Sequence, residues 1–426
     1  MNILNSLKKN KLLKTGTNYS LASSLSSVVT MLITMVSLRW IGPDQLGVWQ
    51  SLGVINSYII FMQLGIQSGL NLELPILLGR NEKKNAEEYI STALSFAITI
   101  SLILLLLGGI LVFYLYSIGK PSIFIYTAIA IVLMAVIDCY KLHYIATFRS
   151  AIAFDKLARI YYIDLVINLL FIPLIFFFSY KGYLIYQVGR HLFFTLLMFW
   201  YAPYRNVKPK FILAPFKNLL KRGIFMTFVN QTKGVIESSS RLLILHFGNV
   251  LMVGLFTPAL SIRTAMDMIP SQVSQFLNPQ FGYKYGKTGK ASDMWPYLNK
   301  ASLLIPLVCI PFVAVGWFIM PWLLEVVFPK YVDSLWPIRI TLCGFAFSST
   351  YITRGFLITI KAYKDVLTLY LIDLLLFWGI PYALIKFSSY EVMFSASIGL
   401  SIAYLCSYIV NYFSVKKIVF KDSYNQ

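Results

Sequence analysis

Long apolar segments recur along the whole chain and constrain its fold more than any other feature. Each is long enough for a helix to cross the roughly 30 Å hydrocarbon layer of a membrane. Because unpaired backbone groups are costly in lipid, each segment is predicted to be helical. Hydrophobic residues make up 58% of the chain and the mean hydropathy is +0.70, which excludes a soluble domain. The sequence therefore predicts an all-α polytopic membrane protein with twelve transmembrane helices. The predicted spans are residues 15–38, 46–78, 89–116, 121–145, 157–179, 183–203, 222–246, 250–281, 295–321, 336–360, 364–385 and 391–413.

The excess of positive charge follows the loops of this topology. The formal net charge is +20. Alternate loops, counted together with both termini, carry 25 Lys and Arg residues, whereas the intervening loops carry 5. This distribution matches the positive-inside rule, so we predict that both termini are cytoplasmic. Orientation accounts for most of the charge, and we expect no nucleic acid partner. Binding of acidic membrane lipid is the alternative interpretation of residues 204–222.

The chain contains two copies of one pattern. Residues 39–50 read RWIGPDQLGVWQ and residues 247–256 read FGNVLMVGLF, which aligns Gly47 with Gly254. In both copies, a second glycine lies 32 positions after this first one and is followed by a basic residue. A second match, AFDKLARIYYIDL at 153–165 with AYKDVLTLYLIDL at 362–374, places Asp164 over Asp373. The two matches have offsets of 207 and 209 residues, which indicates an internal repeat.

The repeat predicts two six-helix bundles. Six spans separate the copies, an even number, so both copies have the same orientation in the membrane. We predict an N-terminal bundle at 1–210 (helices 1–6) and a C-terminal bundle at 211–426 (helices 7–12). The two are expected to be related by a pseudo-two-fold axis along the membrane normal. Transporters with parallel repeats of this kind bind substrate between the repeats, near the middle of the membrane.

Predicted helix 7 carries charges that lipid would penalise. Lys233, Glu237 and Arg241 are spaced by four, so they line one side of the helix. Each would cost about 2.5–3.5 kcal/mol near the bilayer centre, so we expect them to face a polar cavity. One interpretation is a cationic cavity wall that binds substrate, with Asn230 and Gln231 in its polar lining. The alternative is a self-satisfied ladder in which Glu237 pairs with both cations.

Other polar side chains in predicted spans extend this candidate site. Ser27, Thr30 and Thr34 lie on helix 1, the repeat counterpart of helix 7, and serve either as polar cavity lining or in close helix packing. Arg263 on helix 8 is a second candidate cation, with a local pair to Asp267 as the alternative. Arg354 on helix 10 either belongs to the cationic cavity or extends to the membrane interface.

Four carboxylates are candidates for ion coupling. Asp164 and Asp373 occupy equivalent places in the repeat, and Glu73 and Asp267 lie in helices 2 and 8. Binding of a coupling H+ or Na+ is one role for them, and structural hydrogen bonding is the other. Beyond such an ion we expect no cofactor and no metal site.

The sequence gives no indication of an enzyme. It contains no metalloprotease, nucleophile-elbow, P-loop or dinucleotide-binding motif. A membrane-embedded glycan polymerase would need a large outer loop, and the longest predicted outer loop is residues 322–336.

Three segments carry a resemblance to a known family. They are RWIGPDQLGVWQ at 39–50, LLGRNEKK at 77–84 and the stretch from Phe148 and Arg149 to Arg159. Together they resemble the Wzx-type O-antigen and capsular polysaccharide flippases of the MOP (MATE-like) superfamily. These proteins carry a glycine-containing turn between their first two helices, a basic loop after the second, and an arginine-containing segment that enters the fifth.

The resemblance implies a MATE/MOP-like fold and a substrate. That substrate is an undecaprenyl-pyrophosphate-linked oligosaccharide, moved by alternating access from the cytoplasmic to the outer leaflet of the bacterial cytoplasmic (inner) membrane. The product would supply lipopolysaccharide O-antigen or another surface polysaccharide, and a polysaccharide polymerase and a chain-length regulator are implied partners. The pyrophosphate would contact the candidate cations Lys233, Arg241, Arg263 and Arg354. The alternative is a multidrug/cation antiporter of the MATE type, which would favour an anionic cavity.

Overall fold

The computed structural model consists of helices joined by short connections. It describes the backbone of residues 2–288, 290–348, 350–360 and 362–421. Within these ranges, the side chains of residues 2–14, 57, 60, 230, 265, 268, 269, 272, 275, 276, 278–280, 282–284, 286, 287, 351 and 421 lie outside the description. The α-helices are α1 Asn2–Ser37, α2 Pro43–Ile59, α3 Ile66–Gly79, α4 Lys83–Ser117, α5 Ser122–Ser150, α6 Phe154–Leu170, α7 Ile172–Tyr201, α8 Leu213–Phe247, α9 Val250–Leu255, α10 Thr257–Thr288, α11 Trp295–Trp322, α12 Leu335–Phe345, α13 Thr350–Thr359, α14 Tyr363–Phe387 and α15 Val392–Lys421. Four short 3₁₀ or π segments complete the described elements: Ile60–Gln63, Ala291–Met294, Leu323–Val327 and Pro329–Ser334.

Each of the twelve predicted spans falls on one helix or on a broken pair of helices. By length and apolar composition, six helical stretches of the described residues could cross a membrane, or seven if the bent pair α6 and α7 forms one span. The other predicted spans do not meet these criteria of length and apolar composition, because they are interrupted or carry charge. Some are interrupted, as where α2 gives way to α3 around Leu64 and Gly65, both with left-handed backbone. Others, α8 and α10, carry charged residues within the span.

The polypeptide bends sharply between α6 and α7. The two helices meet at 67°, with Phe171 between them and Pro173 in the first turn of α7. Proline lacks an amide hydrogen and crowds the carbonyl four residues earlier, so it interrupts the helix there. A second break lies at Ser179, whose φ of 49° and ψ of −123° are not helical. This break falls at the end of predicted span 157–179 and therefore marks the predicted turn before span 183–203.

The chain groups into two compact units. Unit 1 contains residues 1–41 and 55–231, and unit 2 contains residues 42–54 and 232–426. Within unit 1, α4 packs along α5, α1 along α6, and α5 along α7. Within unit 2, α15 packs along both α14 and α12, and α10 packs along α13. The bundles 1–210 and 211–426 remain a prediction, and the units differ from them in two segments, 42–54 and 211–231.

Glycines form a close helix crossing in unit 2, where the start of α2 meets α9. A Cβ at Gly47 would lie 1.9 Å from the carbonyl oxygen of Val250, and one at Gly254 would lie 1.6 Å from that of Pro43. Both glycines are the fifth residue of their helix, and α9 begins at the cap Asn249, whose side chain accepts from the amide of Met252 at 2.9 Å. The repeated glycine of the sequence is therefore the residue that lets the two helices touch.

A second crossing lies in unit 1, where α3 and the turn before it meet the start of α8. A Cβ at Gly223 would lie 1.9 Å from the carbonyl oxygen of Gly65, and one at Gly69 would lie 2.2 Å from that of Leu219. Small residues allow helix backbones in membranes to approach closely. Gly65 also has a φ of 80°, a backbone conformation that glycine adopts without steric cost.

Candidate functional site

A charged cavity in unit 2 brings together six of the fourteen predicted site residues. It has a volume of about 50 Å³ and lies between α8, α10, α13, α14 and α15. The lining includes three cations and three carboxylates, together with aromatic and hydroxyl side chains. The lining residues are Lys233, Ile236, Glu237, Arg263, Asp267, Ser348, Thr350, Arg354, Tyr370, Asp373, Phe377, Tyr404 and Ser407.

Four of these charges form a chain of ion pairs. Glu237 lies 3.6 Å from the Nζ of Lys233, one turn earlier on α8, and 3.3 Å from a guanidinium nitrogen of Arg263 on α10. Arg263 also lies 3.5 Å from Asp267, one turn later on its own helix. Glu237 is 37% exposed and Lys233 39%, against 16% for Arg263 and 18% for Asp267. The two α8 residues are therefore the more accessible members of this row of ion pairs. The contacts between its members are long for ion pairs.

A second, deeper ion pair lies at the other end of the cavity. Arg354 on α13 is buried and contacts Asp373 on α14, and its Nε donates to the amide oxygen of Asn411 at 3.0 Å. The hydroxyl of Ser407 donates to Asp373 at 2.7 Å. The Arg354 guanidinium also lies over the ring of Tyr370, 4.3 Å from its centroid. Arg354 therefore points into the bundle rather than toward the membrane interface.

The cavity lining has as many carboxylates as cations, so the structure does not show the cationic surplus that the spacing on helix 7 suggested. The reason is that Arg241, the second cation of that helix, is not among the lining residues. Its guanidinium donates to the side chain of Gln50 at 3.1 Å, and both residues belong to unit 2. Arg263 and Arg354 take its place in the lining, and each has a carboxylate partner.

Asp164 occupies a comparable network in unit 1. Its carboxylate accepts from the hydroxyl of Ser26 at 2.7 Å and from the amide of Asn168 at 3.1 Å. The guanidinium of Arg190 on α7 lies 3.8 Å away. These residues adjoin a second cavity, with a volume of about 180 Å³. That cavity is lined by Ser26, Ser27, Lys141, Ile145, Tyr161, Asp164, Arg190, His191 and Phe194.

The remaining predicted residues whose side chains are described do not line either cavity. The hydroxyls of Thr30 and Thr34 donate to carbonyl oxygens one turn earlier on α1, at 2.8 Å and 2.9 Å. Glu73 on α3 is buried and pairs with Arg222 in unit 1. Gln231 is buried on α8, whereas the side chain of Asn230 lies outside the described residues. Among the described residues, no group of three His, Cys, Asp or Glu side chains is arranged to hold a metal ion.

A family model for polysaccharide biosynthesis proteins matches residues 36–333. The chain belongs to this family. The match covers most of both repeats, and it confirms the resemblance that the segments at 39–50 and 77–84 carry. No curated protein matches the chain.

Solved structures similar to this polysaccharide biosynthesis protein are MOP-superfamily transporters. One is a multidrug resistance MATE family transporter in an inward-facing conformation, with a TM-score of 0.78 and 14% identity over 93% of this chain and 95% of that one. A transporter of the same description in an outward-facing conformation gives 0.66 and 14% over 97% of each chain. A third, a MOP superfamily transporter from Pyrococcus furiosus described as having a binding pocket of reverse polarity, gives 0.61 and 14% over 95% of each. These likenesses confirm the predicted MATE/MOP-like all-α membrane fold. The solved structures that share this fold are described as transporters.

Several residues of this polysaccharide biosynthesis protein were not predicted as site residues although they line or adjoin the cavities. Arg190 and His191 lie within predicted span 183–203, where the cost of charge in lipid applies as it does on helix 7. Asn411 and Ser407 lie one turn apart on α15 and both belong to the Asp373 network. The signal that would have found Arg190 and His191 was polar character inside an apolar span.

Proposed function

We propose that the chain is a flippase for lipid-linked oligosaccharides. It moves undecaprenyl-pyrophosphate-linked polysaccharide repeat units from the cytoplasmic to the outer leaflet by alternating access. The observation that carries the proposal is a charged cavity inside a membrane protein of a polysaccharide biosynthesis family. We further propose that it works in the bacterial cytoplasmic (inner) membrane with both termini in the cytoplasm, because the Lys and Arg residues favour that orientation.

The cavity offers suitable groups for both parts of such a head group. Guanidinium groups bind phosphate oxygens in pairs, and the Lys ammonium adds a compact point charge. Lys233 and Arg263 flank Glu237 within 3.6 Å, so a pyrophosphate could bind between the two cations once Glu237 turns away. Glu237 is the carboxylate to do so, because it is half-exposed and both of its ion pairs are longer than 3 Å. Tyr370, Tyr404 and the cavity hydroxyls can pair with sugar hydroxyls, while the polyprenyl tail stays in membrane lipid.

Arg354 has a different part in this proposal. It is held by Asp373, Asn411 and Tyr370 and has little freedom to leave them. We propose that it holds the buried Asp373 network in place, whereas Lys233 and Arg263 exchange their carboxylate partner for phosphate. A MATE-type cation antiporter would instead require carboxylates in excess, and the lining has as many cations as carboxylates.

The test is flipping by the purified protein in proteoliposomes. A fluorescent undecaprenyl-pyrophosphate oligosaccharide is placed in the membrane, and its exposure to an external glycosidase is followed with time. Lys233→Ala and Arg263→Ala are expected to slow flipping at least tenfold. The control Lys386→Ala removes an exposed cation that lies outside the cavity, and it should flip at the wild-type rate.

Two results would contradict the proposal. One is wild-type flipping by both cavity variants. The other is export of cationic drugs without any flipping of the lipid-linked oligosaccharide, which would favour the antiporter. The O-antigen, capsule or other glycan that receives the repeat unit is identified by the sugar that is flipped. Association with a polysaccharide polymerase or chain-length regulator is tested by co-purification from membranes.

A further inference from the structure

A three-residue cluster that the proposed function does not use adjoins the unit 1 cavity, with two of its members, Lys141 and His191, in the cavity lining. Asp138 and Lys141 lie one turn apart on α5, and His191 faces them from α7. The Nδ1 of His191 lies 2.9 Å from a carboxylate oxygen of Asp138 and 3.4 Å from the Nζ of Lys141, which itself pairs with Asp138. Side-chain exposures of 15–22% show that all three residues are mostly buried but still accessible.

The contact with Asp138 fixes the tautomer of the imidazole. An ionised carboxylate only accepts hydrogen bonds, so the neutral ring carries its hydrogen on Nδ1 and donates it to Asp138. Nε2 is then left with a free lone pair and is the atom that can take up a proton. A carboxylate placed on the opposite nitrogen stabilises the imidazolium ion that would form.

Charge balance in this cavity makes His191 the group that responds to pH. The groups that face His191 are known from each helix packed around it. They are Arg190 on its own helix, Asp138 and Lys141 on α5, Tyr161 and Asp164 on α6, and the hydroxyls Ser26 and Ser27 on α1. Two cations and two carboxylates cancel, and the tyrosine and serines are uncharged. Imidazole is the side chain whose charge ordinarily changes between pH 5 and 8.

We propose that His191 is the proton-binding site of unit 1, with Asp138 and Lys141 as its positioning residues. A proton from water forms an Nε2–H bond, and the ring together with the charged groups around it changes from a net charge of zero to one positive charge. That charge develops beside Arg190 and acts on the contact between Arg190 and Asp164, which at 3.8 Å is long. The unit 2 cavity has no counterpart, because its lining holds three Lys or Arg residues, three carboxylates and no histidine.

The test uses nuclear magnetic resonance of the full-length protein in lipid nanodiscs, with isotope-labelled histidine rings. The chain has three histidines, so individual variants assign the signals. We expect a ring signal that titrates between pH 5 and 8 to vanish in His191→Gln. The matched control His246→Gln, which removes an exposed histidine of α8, should keep the titrating signal. Above the titration, the neutral His191 ring should show hydrogen on Nδ1, and Asp138→Asn should abolish that preference.

The outcomes separate this proposal from the flippase proposal. A ring signal assigned to His191 that keeps one charge state from pH 5 to 8 would overturn the assignment. Flipping in proteoliposomes supplies a second measurement, in which His191→Gln should remove the acceleration caused by an imposed pH gradient. Flipping that keeps its gradient dependence in this variant would overturn the coupling while leaving the flippase proposal intact.

Discussion

Gly47→Ala adds a single methyl group at the crossing between α2 and α9. The new Cβ would lie 1.9 Å from the carbonyl oxygen of Val250 and 3.0 Å from one of its side-chain methyl groups. Ordinary van der Waals contact begins near 3.4 Å, so the two helices must separate by about 1.5 Å at this point. The obstacle is backbone, which cannot turn away as a flexible side chain would. Gly254, the equivalent position of the repeat, meets the carbonyl oxygen of Pro43 at 1.6 Å for the same reason.

The expected cost follows from two opposing terms. Inserting a methyl group into a packed interior without room typically costs about 1–3 kcal/mol. Alanine favours a helix over glycine by about 1 kcal/mol, so the net destabilisation of Gly47→Ala should be up to about 2 kcal/mol. Gly53→Ala is the matched control, because it lies on the same helix and its Cβ would have nothing within 4 Å. That variant should be neutral or stabilised by up to about 1 kcal/mol.

The assay uses the four free cysteines of the chain. Cys139 and Cys309 are buried, so a thiol-reactive fluorophore reports their exposure as the detergent-solubilised protein unfolds on heating. We expect Gly47→Ala and Gly254→Ala each to lower the midpoint by several degrees, and Gly53→Ala to leave it unchanged or raised. The double variant should cost less than the sum of the two, because a crossing already forced apart by one methyl group accommodates the other. Equal midpoints for Gly47→Ala and Gly53→Ala would refute the close crossing.

Three further predictions concern the charged networks. Arg354→Met leaves Asp373 buried without its cation and should cost about 3–5 kcal/mol of stability in the same thermal assay. The double variant Arg354→Met/Asp373→Leu should recover most of this loss. Equal losses in the single and double variants would contradict the pairing. Ser26→Ala removes a hydrogen bond to a carboxylate and should cost about 1.5–3 kcal/mol. Its control Ser27→Ala loses only a hydrogen bond to its own helix. This variant should change the free energy of unfolding by less than about 0.5 kcal/mol. Glu237→Gln leaves the described cavity lining with three cations against two carboxylates. The dissociation constant for undecaprenyl pyrophosphate, measured by fluorescence, should therefore fall by about two- to fivefold. Weaker binding would argue against phosphate replacing this carboxylate.

The sequence predicted the helices and the repeat because both depend on local rules. Apolar length and charge bias determine which segments cross the membrane and in which direction, whatever their neighbours. Gly47 and Gly254 could be paired from the sequence because the chain contains their surroundings twice. The contact between α2 and α9 explains why glycine is required at both positions, which the alignment alone could not show.

Contacts between residues that are far apart in the chain could not be predicted from the sequence. The spacing of four on α8 correctly placed Lys233 and Glu237 within reach of each other, but nothing local indicated that Arg241 would contact Gln50, 191 residues away. The pairing of Arg354 with Asp373 depends on how α13 and α14 pack, which is tertiary information. His191 was overlooked for a similar reason, since an isolated histidine acquires meaning only when a carboxylate from another helix approaches it.

The two repeat-equivalent carboxylates show what the duplication has kept and what it has changed. Asp164 and Asp373 each have an arginine, a serine hydroxyl donor and an asparagine within the same network. The partners nevertheless come from different helices: Asp164 takes its serine from α1 and its arginine from α7, whereas Asp373 takes them from α15 and α13. A buried carboxylate needs a cation and hydrogen-bond donors wherever they can be found, so selection on that requirement preserves the chemistry without preserving the sequence. The looser contact of Asp164, 3.8 Å from Arg190, is then the one that a charge on the adjacent His191 can alter, whereas the buried Arg354 pair in unit 2 can stay closed. A proton site in one unit and a head-group site in the other would follow from this difference.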